Sequence, residues 1–253
     1  MIEIKSPAEI EIMRRASGVV AKVLLQLKDK VKPGVSTAEL DSFAKERVLE
    51  LGAVPAFLGY RGYPATLCVS INEEIVHGIP SPKRLIREGD IVSLDMGAVF
   101  GGFYGDAALT VAAGKVQPPA QRLMDITRRS LEIALSKVKA GVRLGEVSHA
   151  VEAFAEENGM SVVREFTGHG IGRHLHEEPS IPNFGRPDSG PVLKAGMTLA
   201  IEPMLCLGGA EVVVKNDGWT AVSADGSLAA HYEHTVAVTE DGCEILSTVS
   251  NCK

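Results

Sequence analysis

The sequence predicts an α/β (α+β) domain of two pseudo-symmetric halves, with a central antiparallel sheet flanked by helices. Three observations lead to this fold class. Similar segments recur 107 positions apart, so that Gly89-Asp-Ile-Val-Ser-Leu-Asp95 matches Gly196-Met-Thr-Leu-Ala-Ile-Glu202. Each half places two helical patterns before its strands. Each half also ends an apolar run in a carboxylate and carries a second acid further on.

The internal repeat extends beyond the two acidic strands. Lys32-Pro-Gly-Val-Ser-Thr-Ala-Glu39 matches Lys139-Ala-Gly-Val-Arg-Leu-Gly-Glu146 at the same separation. This period is too long for a solenoid and fits a duplicated unit. We therefore predict a single domain over 1–253, with halves of about 1–112 and 113–253.

Composition excludes several classes of protein. A net charge of −6 and a pI near 5.7 argue against a generic nucleic-acid binder. No apolar run approaches the roughly 20 residues of a membrane span, and the first residues lack the pattern of a signal peptide. The four cysteines show no metal-binding spacing and are typical of free thiols. We expect a cytoplasmic protein.

Four helices are predicted from the spacing of apolar residues. The first covers 7–31, with Ser6 and Pro7 at its start. Ser36 or Thr37 caps the second, which ends near Gly52. The second half repeats them at about 118–139 and 145–158.

Strands are predicted where β-branched residues lie between glycines. The predicted ranges are 66–71, 91–96, 104–112, 161–166, 197–202, 211–214 and 233–238. Asp95 and Asp106 flank a glycine-rich turn from Gly97 to Gly102. In an antiparallel pair these two acids are expected opposite one another on the same face.

Four carboxylates and one imidazole stand out in these strands. They are Asp95, Asp106, His169, Glu202 and Glu233. Any one acid alone fits a solvated strand edge, but two pairs at matching places of a repeat do not. Buried carboxylates without partners cost several kcal/mol each. Oxygen-rich ligation with one histidine suits Mn²⁺, Fe²⁺ or Co²⁺ better than structural zinc, so we predict a site for two divalent ions.

Longer motifs around these residues extend the pattern. They are Phe166-Thr-Gly-His-Gly-Ile-Gly172, His176-Glu-Glu-Pro179, Asn216-Asp-Gly-Trp-Thr220 and Glu233-His-Thr235. With the five ligands, they resemble the methionine aminopeptidases of bacterial type I, which belong to the M24 family of pita-bread metallopeptidases. The resemblance covers essentially the whole chain. The N-terminus lacks the zinc-binding extension of eukaryotic type I enzymes, and only 30 residues separate Glu202 from Glu233, which leaves no room for the type II insert.

The resemblance implies roles for individual residues. Asp106 and Glu233 bridge the ions, and Glu202 also handles the proton of the attacking water. His77 contacts the scissile amide, and His176 steadies the carbonyl oxygen as it becomes an oxyanion. Phe57, Tyr60, Tyr63, Cys68 and Trp219 align with positions that line the pocket for the methionine side chain. A packed loop is the alternative reading of the aromatic residues among them.

Three departures or additions remain open. Leu175 stands where relatives often have Phe, which loosens one pocket wall. His231 replaces a frequent Gln; a structural or surface role and a place near the rim of the site are both left open for it. Asn72 matches a position whose backbone binds a monovalent cation in relatives. His149, His174 and His234 are expected to have structural or surface roles, the last two because neighbouring strand residues point to opposite faces.

The resemblance predicts an enzyme that removes the initiator methionine from nascent chains and prefers a small second residue. Its partners are the N-termini of nascent polypeptides, and ribosome association fits the role although no basic cluster indicates it. We expect a monomer that binds neither membranes nor specific nucleic-acid sequences. Two alternatives are an Xaa-Pro peptidase, which usually carries an additional N-terminal domain, and a non-catalytic binding module, which usually loses metal ligands.

Overall fold

The structure is a computed structural model and describes residues 2–251. The predicted helices are present at nearly the predicted bounds. They are α1 (Pro7–Lys28), α2 (Thr37–Glu50), α3 (Pro118–Lys137) and α4 (Leu144–Glu157). Ser6 and Ser36 each form a capping box with a glutamate three residues on. Helix α1 ends three residues earlier than predicted, with Asp29 as its C-cap.

The strands are more numerous than predicted; four of the seven predicted strands are shorter, whereas those predicted at 91–96 and 104–112 are longer. They are β1 (Val54–Pro55), β2 (Cys68–Ile71), β3 (Glu74–Val76), β4 (Ile91–Phe100), β5 (Phe103–Ala112), β6 (Ser161–Val162), β7 (Thr167–Gly170), β8 (Glu177–Pro182), β9 (Thr198–Ile201), β10 (Met204–Cys206), β11 (Val212–Val214), β12 (Ala221–Ser223), β13 (Ala229–His231), β14 (Glu233–Val238) and β15 (Cys243–Ile245). The strand predicted at 161–166 stops at Val162 because the chain bends outward at exposed Arg164 and Glu165. Strands β7 and β8 were not predicted, because the glycine and proline residues in them have a low propensity for β-strands.

A nine-stranded antiparallel sheet forms the centre of the molecule. Its main order is β1-β4-β5-β14-β9-β7-β8, with β2 on β4 and β15 on β14. The strands of the first half therefore meet those of the second half at the β5–β14 pair. The predicted α/β architecture with a central antiparallel sheet is confirmed.

The hairpin between β4 and β5 corrects one detail of the prediction. Strand β4 continues to Phe100, and the turn consists of Gly101 and Gly102 alone, both with positive φ. Two successive positive φ values close a tight hairpin that glycine accommodates without strain. In this register Asp106 pairs with Gly97 and not with Asp95. The two acids are diagonal neighbours on one face, so the prediction that they lie opposite one another is wrong.

The helices cover one face of the sheet and leave the other for the site. Leu94 and Met96, which flank Asp95 on β4, pack with residues of α1 and α2 such as Val20. Leu199 of β9 belongs to the corresponding core of α3 and α4. Since side chains alternate along a strand, Asp95 points to the face without helices. Within residues 2–251, no helix is long and apolar enough to cross a bilayer.

Candidate metal centre

The five predicted ligands lie on five adjacent strands of the sheet. In the order of the strands they are Asp95 (β4), Asp106 (β5), Glu233 (β14), Glu202 (directly after β9) and His169 (β7). Asp95 and Glu233 both pair with Ala108 of β5, one from each side. Asp106 lies two residues from Ala108, so these three acids share one face.

The same register argument adds the other two ligands. His234 pairs with Ile201, so the neighbouring residues Glu233 and Glu202 also share a face. The partner of His169 on β9 lies two residues before Glu202, which places His169 beside them. The pairing of distant strands therefore turns all five side chains towards one point.

The distances between ligand atoms fit a metal site. Asp106, His169 and Glu233 each offer one ligand atom, and these atoms lie within 4.8 Å of one another. The Nε2 atom of His169 is 3.7 Å from Oε1 of Glu202. The Nδ1 atom of His169 lies 2.9 Å from the carbonyl oxygen of Gly170. When Nδ1 donates to that carbonyl, Nε2 keeps a free lone pair for a cation.

The electrostatics of the site also favour bound cations. Burial raises the pKa of Asp95 to about 7 and that of Glu202 to about 8. Burial, followed by the charges of neighbouring acids, raises the pKa values of Asp106 and Glu233 well above their ordinary values. One oxygen each of Asp95, Asp106 and Glu233 is buried without a hydrogen-bond partner. Four crowded carboxylates, three of them with an unpaired oxygen, fit divalent cations, which would neutralise and coordinate them.

His77 and His176, the two further histidines with predicted roles, lie at the same cavity. His176 is stacked on Tyr60, and the Tyr60 hydroxyl lies 2.8 Å from Nδ1 of His176. His77 has a positive φ of 62° and contacts the rings of Phe166 and Trp219 edge-on. Burial lowers the pKa of His77 to about 4, so its ring is neutral at physiological pH. Backbone strain of this kind concentrates at functional positions.

A cavity of about 280 Å³ opens over the acids. Its walls include all the predicted pocket residues, Phe57, Tyr60, Tyr63, Cys68 and Trp219, together with Leu175. Most of these side chains are apolar, as expected for a site that binds a thioether. Phe166 and Arg61 also line the cavity and were not singled out in the sequence. Phe166 begins the glycine-rich motif around His169, and that position was the available signal.

His231 does not lie at the rim of the site, which was one of the places left open for it. Its side chain is fully buried on β13, and its Nε2 atom lies 3.6 Å from Oε2 of Glu202. Strand β13 pairs with β10, which follows Glu202 in the chain. This pairing places His231 next to Glu202. The sequence did not predict this position, because β13 has only three residues and no recognisable strand pattern.

The remaining histidines and Asn72 lie outside the ligand cluster. His234 places Nδ1 2.7 Å from Ser247 Oγ, and His149 is exposed on α4. His174 is exposed in an irregular segment, so the strand argument applied to it is wrong. Asn72 has a φ of 60°, and its carbonyl oxygen accepts a hydrogen bond from the amide of residue 229. The described cysteines, Cys68, Cys206 and Cys243, are free thiols, and Cys252 lies outside the described residues.

Comparisons with known proteins agree with this geometry. Residues 11–240 match the model of metallopeptidase family M24. The chain is 48% identical to a methionine aminopeptidase of Clostridium acetobutylicum, over 98% of this chain and 99% of that protein. It is 47% identical to methionine aminopeptidase 1 of Bacillus subtilis, over 98% of this chain and all of that protein.

Solved structures show the same relationship. A methionine aminopeptidase from Thermotoga maritima superimposes with a TM-score of 0.97 at 49% identity, over 98% of this chain and all of that one. An Xaa-Pro dipeptidase from Bacillus anthracis, at 24% identity and a TM-score of 0.79, shares the fold over 96% of this chain and 61% of its own. The family match spans most of the chain and the relatives align over almost their entire length, so this protein belongs to metallopeptidase family M24.

Proposed function

We propose that this chain is a metal-dependent aminopeptidase that removes the initiator methionine from nascent proteins with a small second residue. The observation that carries the proposal is the convergence of four carboxylates and His169 beneath an apolar cavity. Five adjacent strands position these ligands, and aromatic side chains form much of the cavity wall. The methionine aminopeptidases to which the chain is similar support the choice of substrate.

The five residues would hold two divalent ions, which we propose to be Mn²⁺, Fe²⁺ or Co²⁺. The donor set supports this choice, because it contains carboxylate oxygens, a single imidazole and no thiolate. When bound, the ions supply Lewis acidity that polarises the scissile carbonyl and activates water. A monovalent cation near the Asn72 carbonyl is a further proposal, supported by the left-handed backbone there.

Glu202 and His176 would perform the proton and charge steps. Glu202 would take a proton from the attacking water and pass it to the leaving amine, a role for which its carboxylate lies in the cavity wall beside His169. When the Tyr60 hydroxyl, 2.8 Å from Nδ1 of His176, donates to that atom, Nε2 carries the ring proton. That Nε2–H can donate to the carbonyl oxygen as negative charge develops on it.

The cavity walls would select the substrate and bind its scissile amide. Neutral His77, held between Phe166 and Trp219, is placed to hydrogen-bond the amide beside the leaving group. Tyr63 packs edge-on against Trp219 and closes the apolar wall. A long unbranched side chain fits such a cavity at low cost, because a thioether is apolar and flexible. Leu175 in place of a larger aromatic side chain leaves this wall slightly wider.

We further propose a single domain over 1–253, with halves of about 1–112 and 113–253, that acts as a cytoplasmic monomer. The continuous sheet across the β5–β14 pair supports one domain. The free thiols of the described cysteines support a reducing compartment. Nascent N-termini are the proposed partners. Ribosome association is proposed only because it fits this role.

Hydrolysis of two matched peptides tests the proposed function. The metal-loaded protein should release methionine from Met-Ala-Ser and leave Ala-Pro-Gly intact, whereas an Xaa-Pro peptidase would show the reverse. Assays with Fe²⁺, Mn²⁺, Co²⁺ and Zn²⁺ under anaerobic conditions identify the most active metal. Metal-replete protein that cleaves neither peptide would refute the assignment of an enzyme.

A further inference from the structure

His231 is a buried polar side chain whose backbone is fixed on two sides. Its amide donates to Thr110 Oγ1, and its carbonyl accepts from the same hydroxyl group. Strand β13 also pairs with β10, where His231 lies opposite Met204. The residue is about 1% exposed. Hydrogen bonds within the protein therefore fix the backbone that carries this imidazole, and burial separates the ring from solvent.

The ring itself has an unmet hydrogen-bonding requirement. Neither Nδ1 nor Nε2 of His231 has a hydrogen-bond partner among the described residues. A buried polar group without a partner is costly. Among the described residues, the carboxylate oxygen nearest to the ring is Oε2 of Glu202, 3.6 Å from Nε2. Closing this contact to an ordinary N–H···O hydrogen bond needs an approach of about 0.4 Å or more.

Glu202 is thus flanked by two imidazoles, one at each carboxylate oxygen. His169 faces Oε1 at 3.7 Å, and His231 faces Oε2 at 3.6 Å. His169 belongs to the ligand set, whereas His231 lies behind Glu202 and does not line the cavity. A carboxylate that binds a cation and moves a proton needs a fixed orientation, which groups behind it normally provide.

We propose that His231 is a positioning residue that donates Nε2–H to Oε2 of Glu202 and so orients this carboxylate towards the cations. The inference rests on the proposed function, because it assigns Glu202 a role as ligand and base. It does not depend on the charge of His231, since an imidazole can donate from Nε2 in either protonation state. His231 does not line the cavity and acts through Glu202.

Three variants separate positioning from packing. His231→Gln keeps a donor, and His231→Leu removes it at similar volume. His234→Leu is the matched control, because His234 also lies close to a ligand in the chain, but its ring bonds Ser247 and lies outside the cavity. Each purified protein is stripped with a chelator and titrated with Co²⁺, and binding is followed by visible absorption. Melting curves check folding, and kcat and KM are measured with Met-Ala-Ser.

Loss of the donor should weaken Co²⁺ binding by roughly 10- to 100-fold, the range typical for groups that orient metal ligands. His231→Leu should also change the Co²⁺ spectrum and lower kcat more than it changes KM. His231→Gln should stay within about threefold of the unaltered protein, and His234→Leu should bind Co²⁺ normally. Unchanged Co²⁺ affinity and spectrum in His231→Leu would overturn the proposal.

A measurement on the unaltered protein covers the case in which His231→Leu does not fold. In the Zn²⁺-loaded, ¹⁵N-histidine-labelled protein, the NMR signals missing from His231→Gln identify His231. A proton on Nε2 is expected, and a ring protonated only on Nδ1 would refute the proposal. If the unaltered protein binds metal but cleaves no methionyl peptide, the proposed function fails, while Co²⁺ affinity still decides the role of His231.

Discussion

Asp106→Asn should stabilise the metal-free protein although it removes a metal ligand. Asp106 is buried among three other acids, and one of its oxygens has no hydrogen-bond partner. Its ligand atom lies within 4.8 Å of that of Glu233. Two unit charges at this separation repel by about 3 kcal/mol at an effective dielectric constant of 20. An amide removes this repulsion and adds an N–H donor for the neighbouring oxygens.

The gain should depend on pH in a defined direction. Burial and the charges of Asp95 and Glu202 raise the folded-state pKa of Asp106 well above the ordinary 3.8. The folded protein therefore binds this proton more tightly than the unfolded chain does. Stability is lost as pH rises through the unfolded pKa near 4 and levels off only above the folded pKa. The Asp106→Asn substitution should accordingly add little at pH 4.5 and most at pH 8.

Thermal melting with a chelator measures this effect. For a chain of this size, about 3 kcal/mol at pH 8 corresponds to roughly 6–12 °C in Tm. Asp188→Asn is the control, because Asp188 is exposed, and it should change stability by less than about 0.5 kcal/mol. With Mn²⁺ at a hundredfold excess over its Kd, the unaltered protein should gain about 2.7 kcal/mol, and Asp106→Asn much less. A chelated variant no more stable than the unaltered protein at pH 8, or equally stabilised at both pH values, would refute the reasoning.

Three further predictions concern the substrate. Tyr60→Phe removes the hydroxyl that lies 2.8 Å from Nδ1 of His176. Loss of this hydrogen bond, worth about 1 kcal/mol of transition-state stabilisation, predicts a roughly fivefold lower kcat on Met-Ala-Ser with little change in KM. An unchanged kcat would show that Tyr60 does not orient His176. Trp219→Ala opens the apolar wall. A loss of about 2 kcal/mol of binding free energy should lower kcat/KM for methionyl peptides about 30-fold, largely through KM, and Trp219→Phe should lower it less. If kcat/KM of Trp219→Ala equals that of the unaltered protein, the methionine side chain binds elsewhere. A recombinant chain beginning Met1-Ile2 should retain Met1 because its second residue is large, whereas the Ile2→Ala variant should lose Met1. Intact-mass spectrometry distinguishes the two outcomes. A chain that loses Met1 although its second residue is Ile2 would contradict the preference for a small second residue.

The pattern of residues along the chain was sufficient to predict the helices and to single out the five side chains that converge in the structure. Ser6 and Ser36 stand before periodic apolar residues and cap their helices as predicted. Capping and amphipathic spacing act within a few residues, so they can be read locally. The ligand set was accessible for a different reason. Carboxylates that interrupt apolar strands at matching positions of a repeat are costly without cations, wherever the strands lie.

Short strands and their pairing could not be read in the same way. Strands β7 and β13 contain three or four residues, several of them glycine or alanine, and have little propensity of their own. Their conformation comes from hydrogen bonds to strands distant in the sequence. For this reason the sequence did not predict the position of His231. For the same reason it did not predict that Asp95 and Asp106 are diagonal neighbours on β4 and β5 and not directly opposite one another.

By itself, the sequence determined which side chains the proposed site can use: four carboxylates, one imidazole and apolar residues for a pocket. Only the tertiary structure decided how these groups meet. It set the order of the five strands, the face shared by the ligands, and the imidazole of His231 behind Glu202. The physical reason is that side-chain chemistry belongs to each residue, whereas the register between distant strands is a cooperative property of the folded sheet.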